Sequence, residues 1–271
     1  MYKRAAFSRK TNGLQNNRMI RKTRDGISED HLHDASNFTG ECDELYLPGD
    51  SEQLAALLGE LYREGRPVTI SGARTGLTGG CVPAGGALIA TDLLNKTGPF
   101  HPMEGTITCG PGVILADLQS LLKEHGCFFP ADPTETLCTV GGVVANNSSG
   151  ARSYKYGPTR NFVVALEAIL PNGDTLRLRR GDCVEQNGFF NFSTSGGSYT
   201  LPAPKITPPR VKNAAGYYFK PGCDLIDLLV GSEGTLCVFT RITLKALPLP
   251  RKLLSCVAFF GSEENALKFI S

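Results

Sequence analysis

The chain has 271 residues, 41% hydrophobic and 20% charged, proportions that suit a folded globular protein with a sizeable core and disfavour wholesale disorder. Its 28 basic and 26 acidic residues leave a formal charge of +2, which argues against a dedicated nucleic-acid binder. No run approaches the roughly 18 apolar residues of a membrane span, and the nine cysteines, odd in number and without a CxxC pair, read as free thiols of a reducing, cytoplasmic compartment rather than a disulfide framework.

Residues 1–33 form a basic segment that lacks the apolar stretch of a secretory signal and reads as a disordered or docked tail. His31-x-His33 lies in it without a carboxylate or cysteine cluster, so a surface role is expected. Leu45–Leu47 reads as a strand ending at Pro48-Gly49. Asp50 or Ser51 then caps a helix whose Leu54, Leu57, Leu58 and Leu61 follow i, i+3, i+4, i+7. Strands are predicted at 67–71, 87–91 and 106–109. A second amphipathic helix over 113–125 carries Leu115, Leu118, Leu121 and Leu122 on one face and ends at Gly126. The run 162–178 around Asn172-Gly173 predicts a tight hairpin. Residues 181–222, dense in Gly, Ser, Pro and Asn, predict a long irregular excursion. A short helix over 224–230, strand over 235–247, a strand-like run at 253–260 and an amphipathic helix from Glu263 complete the chain. Without regular βαβ alternation, the fold class is α+β.

Thirty-one glycines, about 11% of the chain against a usual 7%, cluster in a few loops. Ser71-Gly-Ala-Arg-Thr-Gly-Leu-Thr-Gly-Gly80 follows a strand directly. Such a loop can converge several N–H groups on an anion, and Arg74 can neutralise a phosphate charge. It is neither a P-loop nor GxGxxG, and alone it reads equally as a structural turn. The second loop runs from Pro130-Ala-Asp-Pro133 into Thr139-Val-Gly-Gly-Val-Val-Ala-Asn-Asn-Ser-Ser-Gly150. Its Gly141 and Gly142 would let backbone lie against a planar ring. A third segment is Gly231-Ser-Glu-Gly-Thr-Leu236.

These segments in this order, with Lys212–Tyr217 and Asp224–Asp227, resemble the FAD-linked oxidases of the vanillyl-alcohol oxidase/para-cresol methylhydroxylase superfamily. The likeness is to the branch of glycolate oxidase flavin subunits and D-lactate dehydrogenases, over about residues 34–271. It implies a two-lobed FAD-binding domain over 34–250, with 251–271 beginning a second, substrate-binding cap. Gly72, Ala73, Arg74, Thr75 and Gly76 should wrap the FAD pyrophosphate. Pro130, Thr139, Gly141, Gly142, Asn147 and Gly150 should line the flavin and ribityl chain, and Glu233, Gly234 and Thr235 should approach the adenosine side. Members commonly show Arg-Gly-x-Gly-Thr in the first loop, whereas this chain places Ser71 and Arg74 at the Arg and second Gly positions. Lys212 and Asn213 either face the flavin or anchor the excursion. Cys138 precedes the second loop but reads first as a small hydrophobe, so FAD is expected to be held non-covalently.

The resemblance also implies a small 2-hydroxy acid as substrate, oxidised to a 2-oxo acid by hydride transfer to flavin. In relatives the cap supplies the catalytic base, and no residue here is assigned that role. A separate cap subunit or an electron-acceptor partner is therefore expected, without nucleic acid, metal or transmembrane segment, and with peripheral membrane attachment left open. Alternatives are a non-catalytic FAD-binding or assembly module and a UDP-N-acetylenolpyruvylglucosamine reductase-like enzyme; Lys212–Tyr217 and Asp224–Asp227 point away from the latter.

Overall fold

Asp50 starts the first helix as its residue type predicts, its carboxylate accepting from Gln53 N at 2.9 Å. In this computed structural model, which describes residues 19–207, 211, 214 and 216–270, that helix is α1 (Ser51–Arg63). It links β2 (Glu44–Leu47) to β3 (Val68–Ser71), and β4 (Ala87–Ala90) lies between the two, parallel to both. Parallel neighbours need a crossover, and α1 supplies it. All four residues of β4 are buried, as expected of a strand covered on both faces. Leu54, Leu57, Leu58 and Leu61 pack with Ala87 and Ile89 on one side, while Leu45, Leu88 and Ala90 pack under Ile27 and Leu32 on the other.

β1 (Ile20–Thr23) adds to this sheet antiparallel to β2, so the lobe begins earlier than the boundary expected at residue 34. An ionic knot holds it there. Glu44, buried on β2, accepts from Arg21 Nε at 2.8 Å and Tyr46 Oη at 2.6 Å, and pairs with Arg66 Nη1 at 2.8 Å.

The second lobe is a seven-stranded antiparallel sheet. β5 (Thr97–His101), β6 (Thr106–Cys109), β8 (Val163–Ile169), β9 (Thr175–Arg179), β10 (Phe189–Thr194), β11 (Gly197–Pro202) and β12 (Val238–Lys245) lie in the order β11-β10-β9-β8-β12-β6-β5. The two-residue strands β7 (Cys127–Phe128) and β13 (Leu247–Pro248) pair separately. α2 (Leu115–Glu124) buries Leu115, Leu118 and Leu122, and Gly126 adopts φ 68° just beyond it. α3 (Val140–Ala145), α4 (Ser153–Tyr156) and α5 (Leu225–Leu229) are short; α5 starts with Asp224 and Asp227 in a reciprocal capping box.

Several expectations are corrected. Part of the excursion expected at 181–222 is the regular β10–β11 hairpin, in which Phe190 is buried and Phe192 stacks on Tyr199 at 5.7 Å. The β8–β9 turn has positive φ at Gly173 but not at Asn172. Gly173 N donates to Leu170 O and Leu170 N to Asp174 O, the pattern of a one-residue bulge rather than a two-residue turn. The strand expected at 253–260 has no regular structure and is exposed throughout, pairing with no described strand. α6 (Glu263–Ile270) does form, and Tyr154 Oη donates to Ile270 O at its end. Lys212 and Asn213 lie outside the described residues.

Candidate cofactor site

A cleft open to solvent lies between the lobes. One wall is the loop leaving β3. Thr91 N and Oγ1 both reach back to Ser71 O and pin the strand end, after which the chain turns away from the sheet. The backbone N–H groups of Gly72–Gly76 find no acceptor among the described residues. Arg74 holds φ at 59°, the left-handed region that a glycine occupies without steric cost. That explains why the family pattern has glycine there. The Arg74 guanidinium folds back, Nη1 donating to Gly72 O at 2.7 Å and lying 3.6 Å from Asp92 Oδ2. Asp34, buried and reaching in from the segment before β2, accepts from Gly79 N at 3.1 Å and from Ser36 N at 2.9 Å.

The opposite wall is α3. Thr139 caps it, Oγ1 accepting from Gly142 N at 3.2 Å. Gly141 N donates to Pro111 O at 2.8 Å, and a Cβ at Gly141 would lie 2.6 Å from the Pro111 ring. Glu233 and Gly234, at φ 52° and 79°, close one end, with Glu233 N donating to Ala145 O. Cys237, Val238 and Phe239 at the start of β12 form part of the lining.

The cleft brings together ten of the expected residues: Gly72, Ala73, Arg74, Thr75, Gly76, Thr139, Gly141, Gly142, Glu233 and Gly234. Four lie outside its lining. Pro130 is buried. Asn147 is buried at φ 46°, its Oδ1 accepting from Arg160 N at 2.9 Å, which makes it a brace behind α3. Gly150 leaves no room for a side chain against Asp132 O, and its N donates to Ser153 Oγ. Thr235 is exposed and turns to Ser232 O and Tyr217 Oη. Asp34, Glu135 and Phe239 line the cleft without having been singled out, whereas Asn146 and Ser148, which also line it, belong to the polar cluster Asn146–Ser149 that can hydrogen-bond ring heteroatoms or phosphate. Asn146 and Ser148 stood in a polar run that signalled them; Asp34 is the first residue of the expected domain, and no pattern around it marked it.

Burial pushes the Cys138 thiol up to about 11 and that of Cys237 up to about 12, so both stay protonated near neutrality. The expectation for His31 is corrected. It is half-buried, its Nδ1 has no hydrogen-bond partner among the described residues, and burial together with the charge of Arg74 lowers its pKa.

Residues 43–179 match a family model described as an FAD binding domain. The chain belongs to that family. FAD is its cofactor, and the residues present suit the group: among the described residues the five N–H groups of Gly72–Gly76 have no acceptor, and the Arg74 cation lies beside them, a set that suits a pyrophosphate. Over 246 residues the chain is 32% identical to a D-lactate dehydrogenase of Anaerostipes hadrus, covering 90% of this chain and 45% of that protein. It is 29% identical over 231 residues to glycolate oxidase subunit GlcD of Bacillus subtilis, covering 84% and 42%. The chain thus spans less than half the length of these relatives. An alkyldihydroxyacetonephosphate synthase structure superposes with a TM-score of 0.58 at 22% identity, over 78% of this chain and 35% of that one, and shares the fold. No described helix is long and apolar enough to cross a membrane.

Proposed function

We propose that this FAD-binding domain is the flavin-holding part of an oxidoreductase that converts a small 2-hydroxy acid to a 2-oxo acid. The observation that carries the reading is the interlobe cleft, with unpaired N–H groups on one wall and close-packed glycines on the other. Gly72–Gly76 would hold the pyrophosphate through backbone N–H groups, with Arg74 adding charge. Thr139, Gly141 and Gly142 would face the ring system, and Glu233 and Gly234 the adenosine end. Pro130, Asn147, Gly150 and Thr235 would act one step back, bracing the loops. FAD, when bound, supplies the hydride acceptor. The likeness to proteins named D-lactate dehydrogenase and glycolate oxidase supports the substrate class. Non-covalent attachment is supported by the protonated state of Cys138.

Orientation and deprotonation of substrate we assign to the part of such proteins that this chain does not span, whether on the same polypeptide or on a partner. Among the described residues no histidine lines the cleft, and a general base must lie within hydrogen-bond reach of its proton. The exposed apolar side chains of the last twenty residues, Phe259 at 92% and Phe269 at 68% among them, support a surface meant to be covered. The test is anaerobic mixing of FAD-loaded chain with D-lactate, glycolate or D-2-hydroxyglutarate. Dithionite should bleach the flavin and none of the acids should. Rapid bleaching by any acid would place the base inside this chain. If a supplied cap restores bleaching by a compound that is not a hydroxy acid, the substrate class is wrong.

A further inference from the structure

The larger sheet turns one face into the core and the other outward, and its strand registers show what the outer face carries. Residues directly opposite one another on neighbouring strands share a face. Arg177, Glu167 and Arg241 form one such row across β9, β8 and β12. Arg179, Ala165, Thr243 and Thr108 form the next row, which reaches β6. Lys245, Thr106 and His101 form a third, ending on β5. Ile242 and Leu244, which alternate with these residues along β12, are buried in the core. Lys96 stands level with Gly110, whose N donates to Lys96 O at 2.8 Å, and it lines one pocket with His101 and Arg241. In a chain whose net charge is only +2, the outer face therefore gathers Lys96, Arg177, Arg179, Arg241 and Lys245 on one side.

Ile169 lies two residues from Glu167 on β8, hence on this same face, and packs with Val238 under the leucines of α1. The first lobe thus covers one end of the face and leaves a step, at whose foot Gly49–Ser51 meet Lys96, His101 and Arg241. Nearby carboxylates are engaged: Glu167 holds Arg177 Nε at 2.7 Å, Glu104 lies 3.7 Å from Arg179, and Asp50 caps α1. The side chains of Lys96, His101 and Arg241 have no ion pair or hydrogen bond among the described residues. We propose that this corner, with the basic face beside it, is a docking surface for a protein partner that seats a protruding, carboxylate-rich loop between Lys96 and Arg241. Exposed cations without partners call for carboxylates, and the step sets the shape. It admits a convex segment and holds a planar lipid surface off the corner. Thr108 and Thr243, bonded to each other at 2.8 Å, floor the face with polar groups, so charge and not apolar burial selects the partner. The inference is independent of the substrate class proposed above.

The experiment is fluorescence anisotropy of a labelled oligoglutamate peptide with the full 271-residue chain, at low and at physiological ionic strength. The peptide should bind, and more weakly as salt rises. Lys96→Glu and Arg241→Glu, both at exposed positions, should each raise Kd about tenfold or more. Lys123→Glu, which reverses an exposed cation on α2, should leave Kd unchanged. An oligolysine peptide should not bind. Failure of oligoglutamate to bind overturns the proposal. So does binding that persists in Lys96→Glu and Arg241→Glu, which would place the peptide elsewhere, on the basic N-terminal segment for instance. Phosphatidylcholine vesicles containing phosphatidylglycerol, and a double-stranded oligonucleotide, are the rival anions. If either binds more tightly than the peptide and loses that binding in Arg241→Glu, the face serves a lipid or a nucleic acid and the protein-docking assignment is wrong.

Discussion

Gly72 and Thr139 meet across the cleft so closely that a Cβ on Gly72 would sit 2.5 Å from Thr139 Oγ1. That oxygen is already committed to capping α3. A side chain at Gly72 must therefore either dislodge the cap or push the Gly72–Gly76 loop outward. Gly72→Val should abolish FAD retention, seen as loss of the flavin absorbance that co-purifies with the protein. It should also lower the melting temperature, since losing an N-cap costs about 1 kcal/mol. Full flavin occupancy in this variant would show that the loop does not hold FAD.

Arg74 combines a cationic side chain with a backbone conformation that suits glycine, and two substitutions separate these features. Arg74→Ala removes the charge and keeps the strained φ, whereas Arg74→Gly removes both. Each should weaken FAD by about 1.5–3 kcal/mol if the guanidinium meets the pyrophosphate. Only Arg74→Gly should regain thermal stability, by about 1 kcal/mol relative to Arg74→Ala. Equal FAD affinity in wild type and both variants would assign Arg74 to loop structure alone.

Glu44 should govern acid stability. Burial raises its pKa, but hydrogen bonds from Tyr46, Arg21 and Arg66 outweigh that and hold it at about 2, below the ordinary 4.5. The folded state thus favours the carboxylate. The stabilisation is present above about pH 4.5 and is lost as the pH falls toward 2. Glu44→Gln should cost on the order of 2 kcal/mol at pH 7, discounted for the exposure of Arg21. The gap to wild type should close below pH 3 in urea melts. A constant gap across pH would mean that the knot stabilises by shape and not by charge.

Thiol reactivity should sort by burial. Cys256 is exposed, whereas Cys109, Cys138, Cys183 and Cys237 are buried with thiols pushed up to about 11 or 12. A disulfide reagent at pH 7.5 should modify Cys256 first, and those four should react only on unfolding. Rapid modification of Cys138 in the native protein would reopen covalent attachment of flavin.

The helix and strand periods that carry the first lobe were plain in the chain itself: four leucines at helical spacing, a capping aspartate and a wholly apolar β4. Elsewhere, local chemistry misled. Gly, Ser and Asn around Phe189–Pro202 hid a hairpin in which β10 buries Phe190 and stacks Phe192 on Tyr199 of the exposed β11. Leu253–Phe260 shows the reverse, strand-forming residues that pair with no described strand. In the site, the glycine loops declared themselves by composition and order. Asp34 did not, because its importance comes from a segment folding back onto the loop at 76–81, a relationship no local pattern encodes.

The position of β12 has a consequence for how the protein is made. It sits between β8 and β6, strands that are synthesised well before it, and its first residues complete the cleft. A chain emerging from the ribosome can assemble the β2–β4 lobe early, yet it must leave the middle of the larger sheet open until residue 245 is available. Closure of such sequence-distant pairings is slow. FAD capture should therefore come late in biogenesis, and nascent chains stalled short of β12 should be protease-sensitive in the second lobe while the first is already protected.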